Sequence, residues 1–303
     1  MFQLWSEPLF LAVVTFTVGV IFSLTLVYYF LQKRQDHFRS SFSTLVSWLL
    51  VTPLLFVLLG MRWPFPLVLV TIISIYGAKI FFQMTGMYHR SHFVIACYLA
   101  LILSSVFIYY GFGNLFDMMP PLFFFAICLI PMIRNSYKQM VQYIALALVN
   151  FLLLWFFMHL GRIMALVDGI YIAIYIILLT ETFENVYLRI SRHFKRIKIV
   201  SALTPKRSLE GYIVAAIVTL GMGYLARNLL SIDLQANWWM IATACFVFGS
   251  TGDTILVVIR RDLGIKVYSS FVIGRGDFFT RIERLVFVAP ASYYVISYLQ
   301  GSL

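Results

Sequence analysis

Acidic residues are scarce in this sequence: 12 Asp and Glu stand against 23 Lys and Arg, a net charge of +11. Charge of either sign is scarce too, at 12% of residues, where a soluble domain carries about a quarter. An ordinary soluble globular protein is therefore excluded. The three cysteines (Cys97, Cys128, Cys245) stand inside apolar runs without paired spacing. They read as small packing residues rather than a disulfide framework or thiolate metal site. The sequence has no HExxH, no GxxxxGK[ST] and no GxGxxG opening a helix, and Gly274-Arg275-Gly276 is too short to count alone. No nucleophilic triad is indicated. Neither a repeat of 20–50 residues nor a low-complexity tract is present.

What the chain has is apolar length. Hydrophobic residues make up 62%, and mean hydropathy is +0.91. Ten apolar stretches stand out, roughly 8–31, 44–60, 66–84, 93–112, 120–133, 140–160, 163–180, 212–231, 237–259 and 285–299. Backbone amides in lipid have no water to bond, which leaves helices or a closed barrel. Runs that are continuously apolar rather than alternating exclude the barrel. The expected fold is all-α: a polytopic integral membrane protein with about ten transmembrane helices.

The distribution of basic residues orients it. With the amino terminus outside, inner loops carry 19 of the 23 basic residues; Arg62, Arg162 and Arg227 lie outside and Lys79 lies within a span. Both termini are then outside. Residues 1–31 lack a basic region before the apolar run and a small-residue cleavage site, so an uncleaved first helix is expected. Inner-loop Lys and Arg are attracted to anionic lipid, so the basic excess points to a membrane surface and an anionic partner, with no nucleic acid.

Loop style divides the chain in two. Residues 1–180 are spans joined by short loops, whereas 181–303 carry two inner loops of roughly 30 and 25 residues with three spans. Long loops in a compact protein tend to be functional. The first, Glu181 to Gly211, holds seven basic residues and ends Thr204-Pro205-Lys206-Arg207-Ser208-Leu209-Glu210-Gly211. It reads as a positive-inside anchor or as a site for a phosphate-bearing ligand. Pro205 suits a helix start, which would set Lys206 and Arg207 beside free N–H groups as an anion cradle, with Glu210 orienting the basic pair.

The second begins at a span end, Gly252-Asp253 followed by Arg260-Arg261. A carboxylate in an apolar run is costly unless paired or metal-bound, so Asp253 is either functional or half of an interhelical salt bridge. Lys266, Gly274-Arg275-Gly276-Asp277, Arg281, Glu283 and Arg284 follow. Closely spaced glycines let backbone approach a ligand. Basic residues beside carboxylates suit a metal–polyphosphate substrate, because Mg²⁺ is normally held by one or two carboxylates plus phosphates.

These two segments resemble the motifs of the phosphatidate cytidylyltransferases. That family carries Ser-Pro-Lys-Lys-Thr-x-Glu-Gly in one cytoplasmic loop, matched here by 204–211. Its long carboxy-terminal signature aligns without gaps from Gly252-Asp253 through Arg260-Arg261, Gly264, Lys266, Gly274, Gly276 and Arg281 to Glu283. Residues 1–180 match only in character. The resemblance implies CTP plus phosphatidate giving CDP-diacylglycerol and pyrophosphate, in a bacterial inner membrane with motif loops facing the cytoplasm. It implies Asp253, Lys266 and Arg281 as catalytic residues. Thr204, Lys206, Arg207, Ser208, Glu210, Arg260, Arg261, Gly274 and Gly276 would bind substrate, and Asp253, Asp277 and Glu283 would hold Mg²⁺. Anionic phospholipid and CTP are the implied partners, and family enzymes are commonly homodimers.

The departures fall on the metal site. The family's Ser after Gly-Asp is Val257, the Asp after Lys266 is Val267, and the Asp before Arg281 is Thr280. An upstream family Asp appears as Glu184, and the glycine seven residues later as Ser191. Losing two carboxylates should weaken Mg²⁺ binding, with Asp277 compensating if it lies one helical turn before Thr280. Two readings follow: an active or altered cytidylyltransferase, or a catalytically inactive relative that binds anionic lipid or regulates a membrane partner.

Overall fold

The computed structural model describes residues 4–33, 39–135, 139–193, 197, 207–262, 272–273 and 276–301. Each of the ten apolar stretches falls on a helix. These are α1 (Pro8–Gln32), α2 (Arg39–Leu59), α3 (Phe65–Met84), α4 (Ser91–Tyr109), α6 (Met119–Ile133), α7 (Met140–Met164), α8 (Gly169–His193), α9 (Leu209–Leu225), α11 (Trp238–Asp262) and α12 (Phe278–Leu299). The short α5 (Gly113–Asp117) and α10 (Ile232–Gln235) lie in connections. Two two-residue strands, β1 (Val272–Ile273) and β2 (Gly276–Asp277), pair antiparallel with Val272 opposite Asp277.

Among the described residues, six helices are long and apolar enough to cross a membrane: α1, α3, α4, α7, α8 as far as Ser191, and α11 as far as Ile259. Shorter apolar helices cover 48–59, 119–133, 209–225 and 284–299. Large hydrophobic side chains such as Phe16, Phe22, Leu99 and Phe125 stand exposed along these helices. Such surfaces suit lipid rather than water, and the protein is a membrane protein built almost wholly of helices.

The chain forms two compact units. One comprises residues 1–69 and 267–281, the other 70–266 and 282–303. In the first, α1 packs on α2, with fully buried Phe10 edge-on to Trp5 and Phe56 at 5.4 and 6.1 Å. In the second, α8 packs against α7, α9 and α11, while α4, α6 and α7 form a neighbouring group. Stacked rings fill the interior, Phe123 on Phe151 at 4.2 Å and Phe116 on Trp155 at 5.2 Å.

Helix α8 departs from the sequence expectation. The apolar run stops at Thr180, and Glu181 to Gly211 reads as loop; the helix instead continues to His193. Helical spacing puts Glu184, Tyr187 and Ser191 on one face, and that face is buried at 5%, 2% and 1% exposure. The helix continues because these polar groups meet partners on neighbouring helices. Asp277 also differs from the conditional expectation: it lies in β2, just before α12, rather than within a helix.

Candidate active site

The polar face of α8 meets the start of α9 and the middle of α11, all in the second unit. Arg207 stands immediately before the α9 cap. Its Nη2 donates to Glu184 Oε1 at 3.2 Å and to Asp253 Oδ2, and its guanidinium lies over the Tyr187 ring, 5.1 Å from the centroid. The three ionic side chains are 9%, 6% and 13% exposed. Next to this triad, Arg284 Nη1 donates to both oxygens of Glu181 at 3.2 and 3.3 Å. Three carboxylates and two guanidiniums leave the cluster one negative charge in excess. Arg207 Nη1 and Arg284 Nε are buried without a partner among the described residues, so donor capacity remains for an anionic ligand.

An aromatic cluster backs the ionic one. Phe183, Tyr187 and Ala215 are buried together, with Tyr212 and Phe246 packed against them. It keeps water from the inner side of the charges and so strengthens their attraction.

The α9 start is built around Ser191. Helix α9 begins at Leu209, four residues after Pro205, and Ser208 is its N-cap, accepting from Gly211 N at 3.1 Å. Ser191 Oγ accepts from Ser208 N at 3.2 Å and lies 3.3 Å from Ser208 Oγ. A Cβ on Gly211 would collide with Ser191 Oγ and come 3.1 Å from Ser208 Oγ, so the close approach of α8 to α9 requires glycine there. Glu210 Oε1 accepts from Ile197 N at 3.1 Å, while Leu209 N donates to Ile197 O at 2.9 Å; Lys206 of the basic pair lies outside the described residues.

On α11, a Cβ at Gly252 would stand 2.6 Å from Phe287 Cδ2. The glycine beside Asp253 therefore lets α12 come close to the carboxylate's turn.

Thus Arg207, in the segment matched by the first motif, and Asp253, in the second, meet directly, and the same guanidinium nitrogen also holds Glu184 of α8. The Cytidylyltransferase family profile matches residues 41–299 of the 303. The chain belongs to that family. Curated relatives agree. A phosphatidate cytidylyltransferase of Thermotoga maritima is 27% identical over 135 residues, 43% of this chain and 50% of the relative. Another of Aquifex aeolicus is 29% identical over 107 residues, 35% and 40%. An uncharacterized protein of Escherichia coli, YnbB, is 27% identical over 131 residues, 43% and 44%. The chain spans about half the length of the curated relatives it matches.

For this cytidylyltransferase-family chain, the anticipated site residues divide three ways. Arg207, Asp253, Ser208 and Glu210 are placed as described, and Arg261 is exposed at the end of α11. Gly276 and Asp277 lie in β2, Arg281 and Glu283 in α12, and Arg260 in α11. Thr204, Lys206, Lys266, Gly274 and the substituted Val267 lie outside the described residues. Sequence reasoning left Glu181 and Arg284 out of the site and gave Glu184 no role. Their signal was two carboxylates three residues apart at the end of an apolar run, and an arginine opening the last one.

Among the described residues no group of three His, Cys, Asp or Glu side chains could hold a metal ion. Glu184 and Asp253 nonetheless converge on one cation, Arg207. Two carboxylates about one point fit a divalent ion whose remaining ligands are substrate phosphates. The guanidinium holds that point in this structure.

Proposed function

We propose that the protein transfers a cytidylyl group from CTP to phosphatidate, giving CDP-diacylglycerol and pyrophosphate. The observation that supports this best is the Glu184–Arg207–Asp253 junction, where the family's two motif segments converge on a buried ion triad. In the reaction, a phosphomonoester oxygen of phosphatidate attacks the α-phosphorus of CTP. The α–β phosphoanhydride bond breaks, and pyrophosphate leaves with the electron pair. Arg207 exchanges its carboxylates for a phosphate, a geometry the guanidinium fork suits. Asp253 and Glu184, so released, would hold Mg²⁺, with Asp277 and Glu283 as further candidate ligands. The bound ion would neutralise triphosphate charge and favour departure of pyrophosphate.

Thr204, Lys206 and the remaining N–H groups at the start of α9 serve the same anion. Ser208 acts there as the cap, and Glu210 fixes the α9 end of the connection. Lys266 and Arg281 neutralise charge on the transferring group, Arg260 and Arg261 steer the anionic substrates, and Gly274 and Gly276 admit the nucleotide closely. The proposed arrangement has ten spans with both termini outside, which would set these groups at the cytoplasmic face of a bacterial inner membrane, and a homodimer, as the resemblance implies.

The test is turnover by the full chain with labelled CTP, phosphatidate and Mg²⁺. Labelled CDP-lipid is expected, disappearing in Asp253→Asn and in Arg207→Ala. Absence of product from wild type across a Mg²⁺ titration would overturn the proposal. Thr280→Asp with Val267→Asp should lower the Mg²⁺ concentration needed for half-maximal rate.

A further inference from the structure

A second lipid-facing feature lies apart from the ion cluster and shares no residue with it. Between α3 and α4 a groove of about 320 Å³ is lined by Ile72, Ile75, Tyr76 and Lys79 of α3, Tyr88 of the following turn, and Tyr98 of α4. The four α3 residues recur at helical spacing on one face. Thr71 Oγ1 donates to Ser105 Oγ at 2.8 Å beyond the isoleucine end, tying the two helices there.

Lys79 is the one charged residue of α3, and among the described residues it has neither a hydrogen bond nor an ion pair. A charge within a membrane span is costly unless it is partnered or reaches the interface. Lys79 lies five residues before Met84, the end of α3, about 7.5 Å along the axis at 1.5 Å per residue. A lysine stem spans most of that distance and carries its ammonium towards the interface, the level of the α3–α4 corner that bears Tyr88. The groove thus has a cationic, phenolic end near the corner and an aliphatic end deeper along the helix.

We propose that this groove binds one anionic phospholipid of the leaflet at the α3–α4 corner. Its phosphate meets the Lys79 ammonium and the hydroxyls of Tyr88 and Tyr98, and an acyl chain lies along Ile72 and Ile75. Charge complementarity selects an anionic head, and the aliphatic wall within a membrane span selects a lipid over free phosphate.

The test uses the full chain, delipidated in detergent and titrated with phosphatidylglycerol or phosphatidylcholine under native mass spectrometry. Wild type should retain one more phosphatidylglycerol than Lys79→Gln, with affinity about fivefold higher, and should show no such difference with phosphatidylcholine. Lys79→Arg should keep the lipid. Ile72→Phe, at a position 60% exposed and so tolerant of bulk, should fill the groove and lose it. Arg207→Ala should leave this lipid in place, which separates it from a substrate at the ion cluster. Equal retention of phosphatidylglycerol by wild type and Lys79→Gln overturns the proposal, as does equal retention of the two lipids. If Lys79→Gln does not fold, undiminished retention by Ile72→Phe overturns it.

Discussion

Replacing Arg207 by Met should be among the most destabilising single changes available in the second unit. Methionine fills much of the same space but leaves Glu184 and Asp253, 6% and 13% exposed, facing each other without the cation between them. Removing one partner of a buried ion pair costs about 3–5 kcal/mol, mostly because the remaining charge is stranded. Asp253→Asn should cost less, about 1–2 kcal/mol, because the Arg207–Glu184 bond at 3.2 Å survives as a balanced pair. With both changes only one stranded carboxylate remains, so the double variant should be more stable than the sum of the two effects implies, by about 1–3 kcal/mol. The assay is chemical unfolding of the full chain in detergent, followed by tryptophan fluorescence, for wild type, both singles and the double. Additive single effects, each under about 1 kcal/mol, would refute the reasoning, since they would describe an ion triad as solvated as a surface pair.

Three further outcomes follow from the helix contacts. Gly211→Ala should lower the thermal midpoint by forcing its new Cβ onto Ser191 Oγ, and Ser191→Gly should recover much of that loss; Ser208→Ala should cost about 1 kcal/mol by removing the α9 cap. Gly252→Ala should push Phe287 away and reduce both stability and turnover, and Phe287→Ala should relieve the clash; equal turnover by wild type and Gly252→Ala would count against the need for close α11–α12 packing beside Asp253.

The helices were legible because lipid demands continuous apolar length, and that demand is written locally, residue by residue. Their ends were less so. A span read by hydropathy stops at its first charges, yet α8 runs through Glu181 and Glu184 to His193 because those carboxylates find arginines on other segments. The partner of Asp253 was hidden for the same reason. Arg260 and Arg261 are near in sequence, whereas Arg207 is 46 residues away and reaches Asp253 only through the packing of α8 on α9 and α11. Pro205 suggested a helix start on propensity alone, but the structure caps α9 at Ser208, where Ser191 from α8 supplies a second hydroxyl. Sequence motifs therefore singled out Arg207 and Asp253, while the choice of ionic partners depended on helix contacts that no local pattern records.

The two bonds at Ile197 bear on how the start of α9 is held. Leu209 N and Glu210 Oε1 grip the carbonyl and amide of one residue, which ties the two ends of the basic connection 198–206 together at its base. Bringing the ends of a connection together carries an entropic cost that grows slowly with its length, and these two bonds offset it. Ile197 is therefore held against the first turn of α9, and Arg207, two residues before Leu209, leads into a chain end that is already fixed.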